Sequence, residues 1–290
     1  MLNRTFLFAP GNHVRKVEKV FGAGADAVIL DLEDAVAAAE KVATRSVVRA
    51  ALAEKGGARA YVRVNALDTD LTFDDIDAVV CANLDGIVLP KVETVADLAR
   101  VDWLIANLER RAQRQPGSID LMPIIETARG AANVRVIAQS GLRRVKRLSF
   151  GAGDYTRDLG IEWSRQELEL LPVRSEIVLA SRLGGLEPPI DSVYIHIRDD
   201  QGFAASVTTV RDLGFQGKLC IHPGQVPIAH EVLTPTAEQV AWARRIVEAF
   251  QAAEAQGSAS IQVDGYFVDY PIVIKARRTV ALYEASRTTA

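Results

Sequence analysis

The chain has 290 residues, 49% hydrophobic and 24% charged, with a formal net charge of −3 and a pI near 5.9. This composition fits one large or two small globular units, and the acidic balance excludes the basic stripe of a general nucleic-acid binder. Two cysteines, Cys81 and Cys220, stand far apart, which excludes a disulfide framework or a CxxC site and fits a reduced cytoplasm. The apolar run within residues 1–10 is too short for a signal sequence, and no stretch reaches the roughly 18 apolar residues of a membrane span. A cytoplasmic protein, neither exported nor inserted, is expected.

Short apolar and β-branched runs alternate with amphipathic segments, the pattern of βα units around a parallel sheet. The first run, 5–9, ends in Pro10-Gly11-Asn12 and leads to a helix over 14–23. The second, 27–32, carries Asp31-Leu-Glu33-Asp34 at its end and precedes a helix over 41–53. The third, 60–64, contains Arg63 and leads to Asn65; the fourth, 86–89, ends in Pro90-Lys91-Val92-Glu93 before a helix over 95–108. The fifth, 120–125, ends in Glu126 and is followed by a helix over 133–139. The sixth, 147–150, opens through Gly151-Ala-Gly to Asp154, ahead of a helix over 164–183. The seventh, 192–197, the helix 205–213 and the eighth run, 218–221, ending in His222-Pro223-Gly224, complete the series. Eight such units predict a (β/α)8 TIM barrel over residues 1–225, with its active site at the C-terminal ends of the strands. A doubly wound open sheet competes, but no G-x-G-x-x-G follows a strand.

Beyond the barrel, 236–255 reads as one long amphipathic helix, Asp264-Gly265 between apolar flanks reads as a hairpin turn, and Pro271 opens a last helix. Residues 226–290 are therefore expected to be a helical extension serving as a lid or an oligomerisation arm.

Glu126 and Asp154, each following a short apolar run, are the candidate metal ligands. A hard cation such as Mg²⁺ takes one or two carboxylates, several waters and substrate oxygens. Arg63 lies inside an apolar strand, where a permanent charge is costly unless paired, and a guanidinium in a barrel mouth can grip a carboxylate bidentately. Asn12, Glu33, Asp34 and Lys91 join it as candidate substrate contacts, although Asp34 also suits a helix cap. Lys91 is placed for a Schiff base, yet nearby carboxylates would raise its pKa where that chemistry needs it lowered. His13, His196, His222 and His230 are scattered without zinc-site spacing, and no G-x-S-x-G supplies a hydrolase nucleophile.

Seven stretches in order now resemble a known group. They are Arg4-Thr-Phe-Leu-Phe-Ala-Pro-Gly-Asn12, Gly24-Ala-Asp-Ala-Val-Ile-Leu-Asp-Leu-Glu-Asp-Ala-Val36, Val62-Arg-Val-Asn65, Gly86-Ile-Val-Leu-Pro-Lys-Val-Glu93, Pro123-Ile-Ile-Glu-Thr127, Phe150-Gly-Ala-Gly-Asp-Tyr155 and Gly217-Lys-Leu-Cys-Ile-His-Pro223. The chain resembles the citrate lyase beta-subunit-like family, within the superfamily of malyl-CoA and citramalyl-CoA lyases and metal-dependent hydroxy-acid aldolases. The resemblance implies a Mg²⁺-dependent enzyme that cleaves or forms the carbon–carbon bond of a β-hydroxyacyl-CoA thioester, such as citramalyl-CoA, malyl-CoA or citryl-CoA, giving acetyl-CoA and a 2-keto acid. It implies Glu126 and Asp154 as metal ligands, Glu33 and Asp34 as acceptors for metal-bound water, and Arg63 on the keto acid. Arg15, Lys16, Lys19 and Lys41 are implied contacts of the CoA phosphates. Asp269 is similar to a lid aspartate contributed by a neighbouring subunit as acid/base, which implies a homo-oligomer, commonly a trimer or a multiple of it; the same residue also suits an N-cap two residues before Pro271. Gly153, where many relatives carry an acid, and His196, where many carry Asp, depart from the pattern. Two further readings stay open: an aldolase on free hydroxy acids, and a subunit of a lyase complex that is inactive alone.

Overall fold

A computed structural model describes residues 2–288; the ends of the two expected units, at Met1 and at 289–290, lie outside the described residues. Eight strands close a barrel in sequence order: β1 (Thr5–Pro10), β2 (Ala27–Asp31), β3 (Arg59–Arg63), β4 (Gly86–Leu89), β5 (Asp120–Ile125), β6 (Ser149–Phe150), β7 (Ile190–Asp191) and β8 (Gly217–Cys220). Every pairing is parallel, including the closure of β1 on β8. The helices between and after them are α1 (Val14–Val20), α2 (Lys41–Ala53), α3 (Thr72–Val79), α4 (Val95–Arg111), α5 (Ala128–Ala132) and α6 (Val134–Ala138). They continue with α7 (Ala152–Leu159), α8 (Leu171–Leu183), α9 (Asp200–Leu213) and α10 (Gln225–Leu233).

The barrel interior is filled by Phe6, Ala27, Ile29, Tyr61, Val88, Met122, Ile124, Ile190 and Leu219. Side chains on a strand alternate faces with period two, so the inward series Ala27, Ile29 continues to Asp31, Tyr61 to Arg63, and Met122, Ile124 to Glu126. The functional side chains are thus the next inward residues above the apolar floor. Tyr61 fits across the barrel because β4 starts with glycine: a Cβ at Gly86 would stand 2.2 Å from its ring.

Six strands form where the sequence places them, and the sixth is shortened to Ser149–Phe150. The seventh is displaced. It is Ile190–Asp191 rather than 192–197, because the apolar run beyond it is not buried: Ile195 and Ile197 are each 48% exposed. The true strand hides behind a charge. Asp191 is fully buried and receives Arg174 Nε at 2.8 Å and the ammonium of Lys218. The predicted helix over 164–183 begins only at Leu171, and α3, α5, α7 and α10 are short helices that the periodicity did not reveal. Asp154 is corrected in consequence: it lies in the first turn of α7, not in a loop.

Asn3–His230 form one compact unit, and Leu2 with 231–288 a second, so the division falls within α10. The second unit contains α11 (Ala237–Glu254), an antiparallel pair β9 (Ile261–Val263) and β10 (Tyr266–Val268), and α12 (Tyr270–Thr288). Thr236 and Gln239 form a reciprocal capping box at the start of α11. The Asp264-Gly265 turn is built as its sequence predicts, with φ of 46° and 84°; both positive values match the twist of a tight hairpin. Its core is Ala243, Ile246, Phe250, Val268, Val273 and Ala276.

Candidate active site

The register brings Asp31 of β2 directly opposite Arg63 of β3. Arg63 donates from Nε to Asp31 Oδ1 at 2.8 Å and from Nη2 to Oδ2 at 2.6 Å, a bidentate clamp. Asp31 also accepts the backbone N–H groups of Glu33 and Ala35 at 3.0 and 3.1 Å. The guanidinium stands 4.9 Å above the Phe8 ring. Its third nitrogen, Nη1, lies 3.1 Å from Glu33 Oε2 and 3.7 Å from Asp34 Oδ2. Burial opposes the guanidinium's charge, but Asp31 and then Glu33 and Glu126 outweigh it and hold Arg63 firmly protonated. Asp31 is the functional residue that strand-end reading left without a role. The signal for it was available, since a buried arginine in a strand needs an acid on its neighbour.

Lys91 follows Pro90 at the end of β4 in a left-handed conformation, φ 51°. Its backbone N–H donates to Glu126 Oε1 at 2.8 Å. Its ammonium donates to Glu33 Oε1 and lies 3.9 Å from both Asp34 Oδ2 and Asp154 Oδ2. Burial pulls the ammonium's pKa down, but Glu33, Glu126 and Asp34 together raise it. A lysine held charged in this way is unsuited to a Schiff base. Burial also lifts Glu33, so the two partners pull in opposite directions; the direct hydrogen bond makes the ionised pair the state that the geometry supports.

Glu126 is 3% exposed. Burial pushes its carboxyl up to about 8, with the charges of Glu33 and Asp154 adding and those of Arg63 and Lys91 opposing. It can stand there only because residue 151 is glycine: a Cβ at Gly151 would come within 2.2 Å of Glu126 Oε2. Asp154, near the N-terminus of α7, is paired with Arg157 Nη2 at 2.6 Å.

The donor set fits a hard divalent cation in one particular way. Among the described residues no group of three or more His, Cys, Asp or Glu is arranged to hold a metal ion by itself. Two carboxylates, Glu126 and Asp154, share Lys91 as a common neighbour, and Glu33 Oε2 is buried beside Arg63 Nη1 at 3.1 Å without an aligned hydrogen bond. Few protein ligands plus unspent carboxylate acceptors match the coordination habit of Mg²⁺, which keeps waters and substrate oxygens.

Five expected residues of the barrel unit, Asn12, Arg15, Lys16, Lys19 and Lys41, make no hydrogen bond or ion pair to these carboxylate side chains among the described residues. Asn12 donates through Nδ2 to Glu40 Oε2 at 2.6 Å and has no contact with the carboxylate cluster among the described residues. Lys41 donates to the carbonyls of Leu32 and Glu33 at 3.3 and 2.8 Å and to Asn65 Oδ1, tying strand ends at the barrel rim. Arg15, Lys16 and Lys19 are exposed on α1. Asp269 lies in the second unit at the N-cap of α12, where its Oδ1 accepts the Ile272 N–H at 3.4 Å, a long and weak cap.

A closed parallel barrel with a largely buried arginine side chain and five carboxylates at its mouth is the architecture of a barrel enzyme with an acidic, carboxylate-rich mouth. Residues 4–223 match the family described as HpcH/HpaI aldolase/citrate lyase. The citrate lyase subunit beta of Leuconostoc mesenteroides subsp. cremoris is 36% identical over 287 residues, 98% of this chain and 94% of that one. A (3S)-malyl-CoA thioesterase of Cereibacter sphaeroides is 36% identical over 284 residues, 97% of this chain and 95% of that one. Among solved structures, the protein CitE from Mycobacterium tuberculosis, in complex with magnesium, acetoacetate and coenzyme A, superposes with a TM-score of 0.79 at 30% identity, covering 98% of each chain. The chain belongs to the HpcH/HpaI aldolase/citrate lyase family.

Proposed function

We propose that this chain is a Mg²⁺-dependent carbon–carbon lyase, cleaving or forming a β-hydroxyacyl-CoA thioester of the malyl-CoA, citramalyl-CoA or citryl-CoA type. The observation that carries the reading is the convergence of Glu126, Asp154 and the Asp31-clamped Arg63 on one barrel mouth. The likeness to a structure holding magnesium, acetoacetate and coenzyme A supports it. Glu126 and Asp154 are the residues that would hold the ion, which supplies Lewis-acid polarisation of a substrate oxygen.

The chain's own groups do the rest. Asp31 occupies Nε and Nη2 of Arg63 and holds the plane of the guanidinium, leaving Nη1, beside Glu33 and Asp34, as the donor for the carboxylate or carbonyl oxygen of the keto acid. Glu33 and Asp34 accept hydrogen bonds from water in the mouth. In the cleavage direction the hydroxyl gives its proton to the Asp269 carboxylate, the carbon–carbon bond breaks, the hydroxyl carbon becomes the keto group, and the bond's electron pair forms a thioester enolate. Asp269 then returns that proton to the enolate carbon, giving acetyl-CoA. Tyr266 and Phe267, each 68% exposed beside Asp269, support an arrangement in which this hairpin docks on a second copy and Asp269 acts in the neighbour's site. The chain is then a homo-oligomer, a trimer or a multiple of one. The free thiols of Cys81 and Cys220 agree with a reducing cytoplasm.

One other reading has an observation in its favour. The similarity to (3S)-malyl-CoA thioesterases favours hydrolysis of the thioester. The deciding experiment incubates the purified chain with Mg²⁺ and each thioester, following acetyl-CoA, keto acid and free thiol separately. Keto acid and acetyl-CoA without thiol establish the lyase; thiol with intact hydroxy acid establishes the thioesterase. Turnover only after other subunits are added marks a complex subunit, and equal turnover of the free hydroxy acid marks an aldolase. Full activity in excess chelator would remove the metal from the proposal.

A further inference from the structure

We infer that Lys91 is a built-in competitor of the divalent cation: its ammonium lies against Asp154, one of the two carboxylates the ion needs, and its charge weakens ion binding before substrate arrives. The inference rests on Glu126 and Asp154 being the metal ligands.

Lys91 reaches both. Its backbone N–H fixes Glu126 Oε1 at 2.8 Å, and its ammonium stands 3.9 Å from Asp154 Oδ2 while bonded to Glu33. The left-handed φ of 51° makes this double contact possible, because it turns the side chain back over the strand end while the N–H still points at Glu126. A lysine in that conformation is strained relative to glycine, so only the ammonium and its stem explain why a side chain is present. The mouth holds Asp31, Glu33, Asp34, Glu126 and Asp154, and the cations facing them are Arg63, Lys91 and Arg157. Arg63 is clamped by Asp31 and turns its third nitrogen to Glu33 and Asp34, with no ion pair to Glu126 or Asp154 among the described residues, and Arg157 is largely exposed on α7. Lys91 is therefore the cation that stands against Asp154 while its own backbone fixes Glu126, and its removal increases the pull of the mouth on a second cation. The Asp154 contact is long and readily given up, whereas the Glu33 contact is direct, so an arriving ion takes Asp154 from Lys91 and leaves Lys91 on Glu33.

The role differs from substrate binding in a measurable way. Lys91→Met keeps the stem, the left-handed backbone and the N–H that fixes Glu126, and removes only the charge. Calorimetric titration of Mg²⁺ into the substrate-free protein at low ionic strength should then show binding tightened by at least about fivefold, within the usual span of coupling between two sites. The gap between variant and wild type should narrow in 0.5 M KCl as salt screens the charge. In chelator the variant should melt lower than wild type, and the Mg²⁺-induced rise in Tm should be larger. Unchanged or weaker Mg²⁺ binding, with only KM raised, overturns the inference and returns Lys91 to a substrate contact. Glu126→Gln, which should bind no Mg²⁺, separates the two levels: a wild type that binds no Mg²⁺ at this site overturns both the metal reading and the inference, whereas a wild type that binds it beside an unaltered Lys91→Met overturns the inference alone.

Discussion

The clamp between Asp31 and Arg63 makes the arginine's geometry as important as its charge. Lysine at 63 keeps the charge but cannot reach both Asp31 oxygens while presenting a further donor. Arg63→Lys should lower kcat/KM by about 10²-fold or more, roughly 3 kcal/mol of transition-state stabilisation, which steady-state kinetics would read. Asp31→Asn should act through the same arginine. It leaves a buried guanidinium short of an acid and should cost about 3 kcal/mol of stability, visible by denaturant unfolding. Gly151→Ala tests the metal site without altering a ligand. The added Cβ meets Glu126 Oε2, so Mg²⁺ affinity should fall at least about tenfold while the fold persists. Calorimetric titration giving wild-type affinity would show that Glu126 is not a ligand.

The elements around β7 carry an acid-sensitive device of their own. Burial alone would raise the Asp191 carboxyl, but Lys218 and Arg174 overcome it and hold it below the usual carboxylate value. A carboxyl depressed in the folded state contributes stability that is present above its ordinary pKa, near 4, and is lost as pH falls through the folded value. Asp191→Asn should therefore lower unfolding free energy at pH 7 by about 3–5 kcal/mol. Denaturant titrations from pH 7 to pH 3 should show a shallower pH dependence in the variant; identical slopes would dissociate Asp191 from acid lability. The same charged network explains why hydropathy misplaced the strand. A two-residue strand bearing a buried Asp presents no apolar run, whereas the half-exposed isoleucines beyond it do.

At the scale of the whole molecule, the question is whether Asp269 completes a neighbour's site. Asp269→Ala and Glu126→Ala should each be nearly inactive alone. Mixed and allowed to exchange subunits, they should regain activity, because some sites receive an intact lid from one copy and intact ligands from another. Light scattering should find an oligomer, and a monomer with no complementation would confine Asp269 to capping α12. The barrel, the Asp264-Gly265 hairpin and the long α11 were legible in the sequence because each follows from local periodicity and turn chemistry. Glu126 and Arg63 were legible because they continue an apolar strand onto its polar end. The coupling of Asp31 to Arg63, the left-handed Lys91 that joins Glu126 to Asp154, the tie of Lys41 at the barrel rim and the two-residue β7 were decided only in three dimensions. Each depends on strand register or on a partner in another βα unit, and neither composition nor periodicity along one segment records what stands across from it.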